Sequence, residues 1–156
     1  IKVGKITEVW IHPDRPEIYC EKVDLGNGDI RTVASGVVKF IPQDQMLNSM
    51  VVVLCNLKGR KMGDFESNAM VLAGETPDGK AVELLSPPEG SAVGDLITFE
   101  GEGRSPPEGT INSKKFEKVS PHMKVNGDGV AVYKDIPFAT PKGKCTVQKI
   151  RNGIVK

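Results

Sequence analysis

Lys58, Arg60 and Lys61 place three cations within four residues, in the stretch 55–70, "CNLKGRKMGDFESNAM". Cations spaced this closely can neutralise phosphates of a nucleic-acid backbone. Met62, Met70 and Phe65 offer soft or flat apolar faces against which a base can lie. Asn56, Ser67 and Asn68 carry donors and acceptors suited to base edges or 2′-hydroxyls. Binding of single-stranded or looped nucleic acid is one use of such a set. The other is a solvated hairpin loop whose lysines keep a sheet edge from pairing with a second chain. Asp64 and Glu66 lie in the same stretch. Their charge would repel phosphate and favours the second use.

Catalysis finds less support. Ser35, His12 and Asp14 supply a serine, a histidine and an acid, but no G-x-S-x-G elbow presents the serine. The carboxylates are scattered, without a pair that one face of an element would bring together. The glycines of "GNGD" match neither the phosphate-loop nor the dinucleotide pattern. Cys20, Cys55 and Cys145 form no C-x-x-C pair, and His12 and His122 do not cluster with them. We therefore expect a binding domain with no cofactor and no metal. The thiols read as buried and free, which suits a reducing, cytoplasmic setting.

The charges of the 55–70 stretch are local. The 156-residue chain carries a formal net charge of +1. Residues 1–100 hold ten Lys and Arg against fifteen Asp and Glu, while residues 101–156 hold eleven against five. A polyanion would meet patches rather than the field of the whole molecule. No run approaches the ~20 apolar residues of a membrane span. The chain opens at Ile1, and we expect it to be a piece of a longer protein.

The elements that must hold these groups read as short strands. Residues 1–11 and 18–25 are β-prone, and "GNGD" (26–29) has the composition of a tight hairpin turn before a third strand at 30–38. "IPQDQMLNS" (41–49) can hold one helical turn. "MVVVLC" (50–55) reads as a strand buried on both faces, and "AMVLAG" (69–74) as the next. Strands this short, split by Gly, Pro and Asp turns, suggest a closed barrel. The expected class is all-β. A five-stranded OB-fold barrel over 1–100 fits best, and an immunoglobulin-like sandwich is the alternative. "EGEGRSPPEGT" marks a linker at about 101–111. Residues 112–156 are too few to fold alone. They read as a small extension packed on the barrel, with a short helix at 112–120 and strands in "GVAVYKD" and "KCTVQKI".

Taken in order, "VGKITEVWIHPD", "IYCEKVDLG", "RTVASGVVKFIP", "QMLNSMVVVLCNLKGRKMGDFESNAMVLAGE" and "ELLSPPEGSAVGDLITFEG" resemble a known tRNA-binding domain. It stands at the C-termini of some methionyl- and tyrosyl-tRNA synthetases. It also occurs in a small bacterial tRNA-binding protein, the yeast synthetase cofactor and the endothelial monocyte-activating polypeptide. The tail, "INSKKFEKVSPHMKVNGDGVAVYKDIPF" onward, resembles the extra module of the monocyte-activating branch. The resemblance implies an OB barrel that binds tRNA with little sequence preference. It would serve as an accessory module of a parent synthetase (methionyl-, tyrosyl- or lysyl-) or of a synthetase complex. It implies a pseudo-dimeric monomer whose tail covers the surface that bacterial relatives use to dimerise.

The family motif N-L-K-x-x-K-M-R-G…S-x-A-M falls on Asn56, Lys58, Lys61, Met62, Ser67 and Met70. Gly63 and Asp64 replace its Arg-Gly, and Arg60 stands where it can supply the lost charge. Lys114, Lys115 and Lys118 of the tail are further phosphate candidates. His12 is a lesser one, within a "HPD" turn. Two other functions stay open: a released cytokine-like fragment, and an OB module for single-stranded DNA or an oligosaccharide.

Overall fold

The computed structural model describes residues 1–54, 60–62, 65–67, 69–97, 122–140 and 142–155. The expected helix at 112–120, with Lys114, Lys115 and Lys118, lies outside them, as do the linker, Asn56 and Lys58.

Strands β1 (Lys2–His12), β2 (Arg15–Asp24) and β3 (Ile30–Ser35) form an antiparallel meander. Gly26, Asn27 and Gly28 all take positive φ at the β2–β3 turn, as "GNGD" anticipates. A single helical turn, α1 (Gln43–Met46), follows Pro42 and buries Met46. Strand β4 (Met50–Leu54) returns beside β1. The short hairpin of β5 (Arg60–Met62) and β6 (Phe65–Ser67) precedes β7 (Met70–Val71), which completes a sheet of order β3-β2-β1-β4-β7.

That sheet curls until its far edge meets the hairpin. The Thr32 hydroxyl donates to the Glu66 carbonyl at 2.7 Å, and the Ala34 N–H donates to Ser67 Oγ at 3.1 Å. The result is the OB-type barrel, all-β with a short helix, rather than a sandwich of two flat sheets.

The run 69–74 is not one strand. It breaks at Leu72, whose N–H bonds the Val52 carbonyl at 2.9 Å while its carbonyl accepts from Leu85 at 3.2 Å. Beyond the break β8 (Ala73–Glu75) leaves the first sheet and pairs with β9 (Val82–Leu84) in a second. The C-terminal residues join that second sheet through β10 (Met123–Val125), β11 (Ala131–Tyr133) and β12 (Ile136–Pro137), with a separate small pair of β13 (Ala139–Thr140) and β14 (Gly143–Lys144). Strand β15 (Ile154–Val155) lies between β10 and β8, so the sheet order is β12-β11-β10-β15-β8-β9. "KCTVQKI" is not a continuous strand. Thr146 makes isolated bridges to Ser86 and Val130, and the chain then turns. The Glu83 carboxylate accepts the N–H groups of Gln148, Lys149 and Ile150 at 2.6, 2.9 and 3.3 Å, fixing that turn against β9.

Strand β4 is the wall between two cores, which is why it is apolar at every position. Val51 and Val53 face the barrel interior with Ile6, Val23 and Val33, whereas Val52 and Leu54 face a second cluster with Phe138, Val147 and Val155. Alternation along a strand sends neighbours to opposite faces, so a strand buried on both sides must be apolar throughout.

Candidate nucleic-acid interface

The β5–β6 hairpin carries the residues singled out by their chemistry. Its register sets Arg60 opposite Ser67, Lys61 opposite Glu66 and Met62 opposite Phe65. The cationic strand therefore runs alongside Glu66 and Ser67, the two residues through which the hairpin is bonded to β3.

Ser67 is buried. Its hydroxyl donates to the Ala69 carbonyl at 3.0 Å and accepts the Ala34 N–H at 3.1 Å. This one oxygen ties the hairpin's return strand to β3. Ser67→Ala leaves the Ala34 N–H without that acceptor. A part-buried backbone donor in that state costs about 1–2 kcal/mol. Urea denaturation should show a loss of that size. An unchanged midpoint would mean that water replaces the hydroxyl.

Met70 is half-buried. It packs against the second core and also lines a cleft of about 320 Å³ with Ser35, Gly36, Val37 and Phe40. Met70 is therefore held by the core while it lines the cleft. His12 is buried, and its Nδ1 accepts the Asp14 N–H at 3.1 Å. The ring thus holds the β1–β2 turn, with its proton on Nε2 when neutral.

Two residues that sequence patterning passed over stand in this region. Cross-strand neighbours share a face. Val9, Glu21 and Val33 form one row of the sheet, and Trp10, Cys20 and Ala34 the next. Val9 and Val33 belong to the barrel core, so Glu21 points inward and Trp10 outward. Glu21 is fully buried, accepts the Ser35 hydroxyl at 2.9 Å through Oε2, and has no partner for Oε1. Burial pushes its carboxyl up to about 8, opposed in part by the Ser35 hydrogen bond. Trp10 is 36% exposed and meets Phe65 edge to face, with ring centroids 5.9 Å apart. The signal for Trp10 was its parity: it stands next to Val9, one of the core-facing positions of β1.

Among the described residues no group of His, Cys, Asp and Glu is placed to hold a metal ion. No helix there is long and apolar enough to cross a membrane.

A five-stranded sheet curled into a barrel, its β3 edge met by the β5–β6 hairpin, defines a domain of the OB class. The chain belongs to the tRNA_bind family, whose model, described as "Putative tRNA binding domain", matches residues 1–96. The family places it among non-catalytic domains. It is 46% identical over 159 residues to the cytoplasmic methionine–tRNA ligase of Arabidopsis thaliana, covering 100% of this chain and 20% of the ligase. It is 43% identical over 162 residues to the aminoacyl tRNA synthase complex-interacting multifunctional protein 1 of Cricetulus griseus, covering 100% of this chain and 44% of that protein. The chain thus spans less than half the length of either relative. Its structure resembles the crystallised C-terminal domain of Plasmodium vivax p43, with a TM-score of 0.91, 34% identity, and 99% and 94% of the two chains covered.

Proposed function

We propose that this domain binds tRNA as an accessory module of an aminoacyl-tRNA synthetase or of a synthetase-complex protein, and raises the local tRNA concentration for aminoacylation. The observation that carries this reading is the family match over 1–96, which spans the barrel and the hairpin bearing Arg60 and Lys61. Relatives that align with the whole chain include a tRNA ligase and a synthetase-complex protein, and that ligase is a cytoplasmic one. That supports a cytoplasmic setting. Lys58, Arg60 and Lys61 serve as phosphate contacts, Asn56, Met62 and Met70 as further contacts, and Ser67 by tying the hairpin to β3. Lys114 and Lys115 serve as further phosphate contacts. His12 serves chiefly by shaping the β1–β2 turn. A module that holds tRNA loosely beside a catalytic body gains its effect through tethering, without choosing which tRNA is used.

The extension supports a monomer. Strand β15 occupies the edge of β8, and β10 continues the sheet beyond it, so that edge is closed to a second copy.

Each phosphate neutralised contributes about 0.7–0.9 to the salt slope. Three contacts from the 55–70 stretch and two or three from the basic tail give a slope of roughly −4. A mobility-shift titration with bulk tRNA at several salt concentrations measures it. The Lys58/Arg60/Lys61 triple alanine should bind more weakly at low salt and flatten the slope by about 2–3. A triple variant with the wild-type affinity and slope would remove this stretch from the interface.

A further inference from the structure

Trp10 and Phe65 come from elements distant in sequence, β1 and the hairpin, and meet on the outer face of the barrel. Their ring planes stand 86° apart. An edge-to-face pair leaves a right-angled notch, in which one ring offers its face and the other flanks it. Trp10 remains 36% exposed, although the neighbouring Cys20 of its row is 1% exposed. Phe65 is only half-buried, and it sits opposite Met62 at the turn of the hairpin whose other strand carries Arg60 and Lys61. The hairpin is anchored to β3 through Thr32 and Ala34, so the pair is held rather than loosely apposed.

We propose that Trp10 and Phe65 form a stacking site for one unpaired nucleobase of the bound RNA. The proposal rests on the tRNA-binding reading and deepens it. Cations of the hairpin hold the backbone, and the aromatic notch takes a base that the tRNA fold leaves unstacked. An aromatic face accepts any base, so this site adds affinity without sequence preference. It also gives the domain a means of telling folded tRNA, which has unpaired bases, from plain duplex of equal charge. Phosphate contacts alone cannot supply that distinction.

The chain contains a single tryptophan, so its intrinsic emission reports on Trp10 alone. The full chain should be titrated with bulk tRNA and, separately, with a blunt RNA duplex, binding being followed in parallel by mobility shift. Quenching that saturates with the tRNA shift is expected, with little change for the duplex. Trp10→Ala should weaken tRNA binding roughly 5- to 150-fold, the range for loss of one stacked base, and leave the salt slope unchanged. Trp10→Phe keeps a ring and should retain most of the affinity, which separates stacking from damage to the fold. A tRNA shift with unaltered emission overturns the stacking site and leaves the tRNA-binding reading intact. Equal quenching by the duplex also overturns it, since mere proximity would then account for the signal. Absence of any tRNA shift overturns both.

Discussion

Glu21→Gln should stabilise the domain by about 3–5 kcal/mol at pH 9 and leave it within about 1 kcal/mol of the parent at pH 5. Glu21 is fully buried, and burial raises its carboxyl to about 8. In the unfolded chain the same group titrates near the ordinary value of 4.5. The folded form therefore holds a proton that the unfolded form has lost, throughout the interval between the two values. Stability must fall as pH rises through that window and level off above about pH 8. Each pH unit of that interval takes away about 1.4 kcal/mol, which sets the size of the loss. Glutamine is neutral at every pH, and its carbonyl can accept the Ser35 hydroxyl as Oε2 does at 2.9 Å. Its amide takes over the unpartnered position of Oε1, so the variant resembles the protonated parent.

Urea midpoints between pH 5 and pH 9 would trace both proteins. The parent should decline and the variant should stay nearly flat over that range. Parallel profiles would mean that Glu21 ionises in place with solvent reaching it. The loss bears on function through Ser35. That residue lines the cleft shared with Met70, so charging the carboxylate would load the wall beside the proposed interface.

The barrel was legible because its defining residues leave no other choice. An apolar run as unbroken as Met50–Leu54 needs cover on both faces, and the two cores on either side of β4 supply it. The positive-φ turn at Gly26, Asn27 and Gly28 was written in residue types that tolerate it. Elsewhere the pattern was too short or was displaced. Strand β1 shifts register between Ile6 and Glu8 and again between Ile11 and His12. An irregularity of that kind moves side chains to the other face. Ile6 and Val9, an odd number apart, consequently share the barrel core, while Ile11, in register with Tyr19, is exposed at 45% near the end of the strand. Glu21 looked like an ordinary polar position in "IYCEKVDL", because nothing local distinguishes a buried acid from an exposed one. The C-terminal strands run for only two or three residues, below the length at which alternation can be seen. Of the site, the hairpin's cations and its tie through Ser67 belong to one contiguous stretch. The aromatic partner is brought to it by the barrel's curvature, which no spacing encodes.

The attachment of that C-terminal part concentrates at Gly153, and Gly153→Ala should cost about 4 kcal/mol or more. A Cβ at this position would press into the Glu75 carbonyl oxygen and come within 2.9 Å of Ile150 Cγ2. The carbonyl belongs to β8 and cannot swing aside as the end of a flexible side chain would. Relief requires β15 to part from β8. That breaks the pairing of Ile154 with Glu75 and of Val155 with Gly74, and strains the bond from the Val125 N–H to the Gly153 carbonyl at 3.0 Å. Val155 and Ile150 would leave the core they share with Val52 and Leu54. The exposed edge of β8 would then be a template for another chain. Gly127→Ala is the matched control, since its Cβ meets nothing closer than Asn152 Oδ1 at 3.5 Å. Denaturation midpoints should separate the two variants widely. In sedimentation the parent and Gly127→Ala should run as monomers while Gly153→Ala associates. A Gly153→Ala protein that stays monomeric and fully stable would mean that β15 contributes nothing to closing the sheet. The monomer reading would then lose its structural basis.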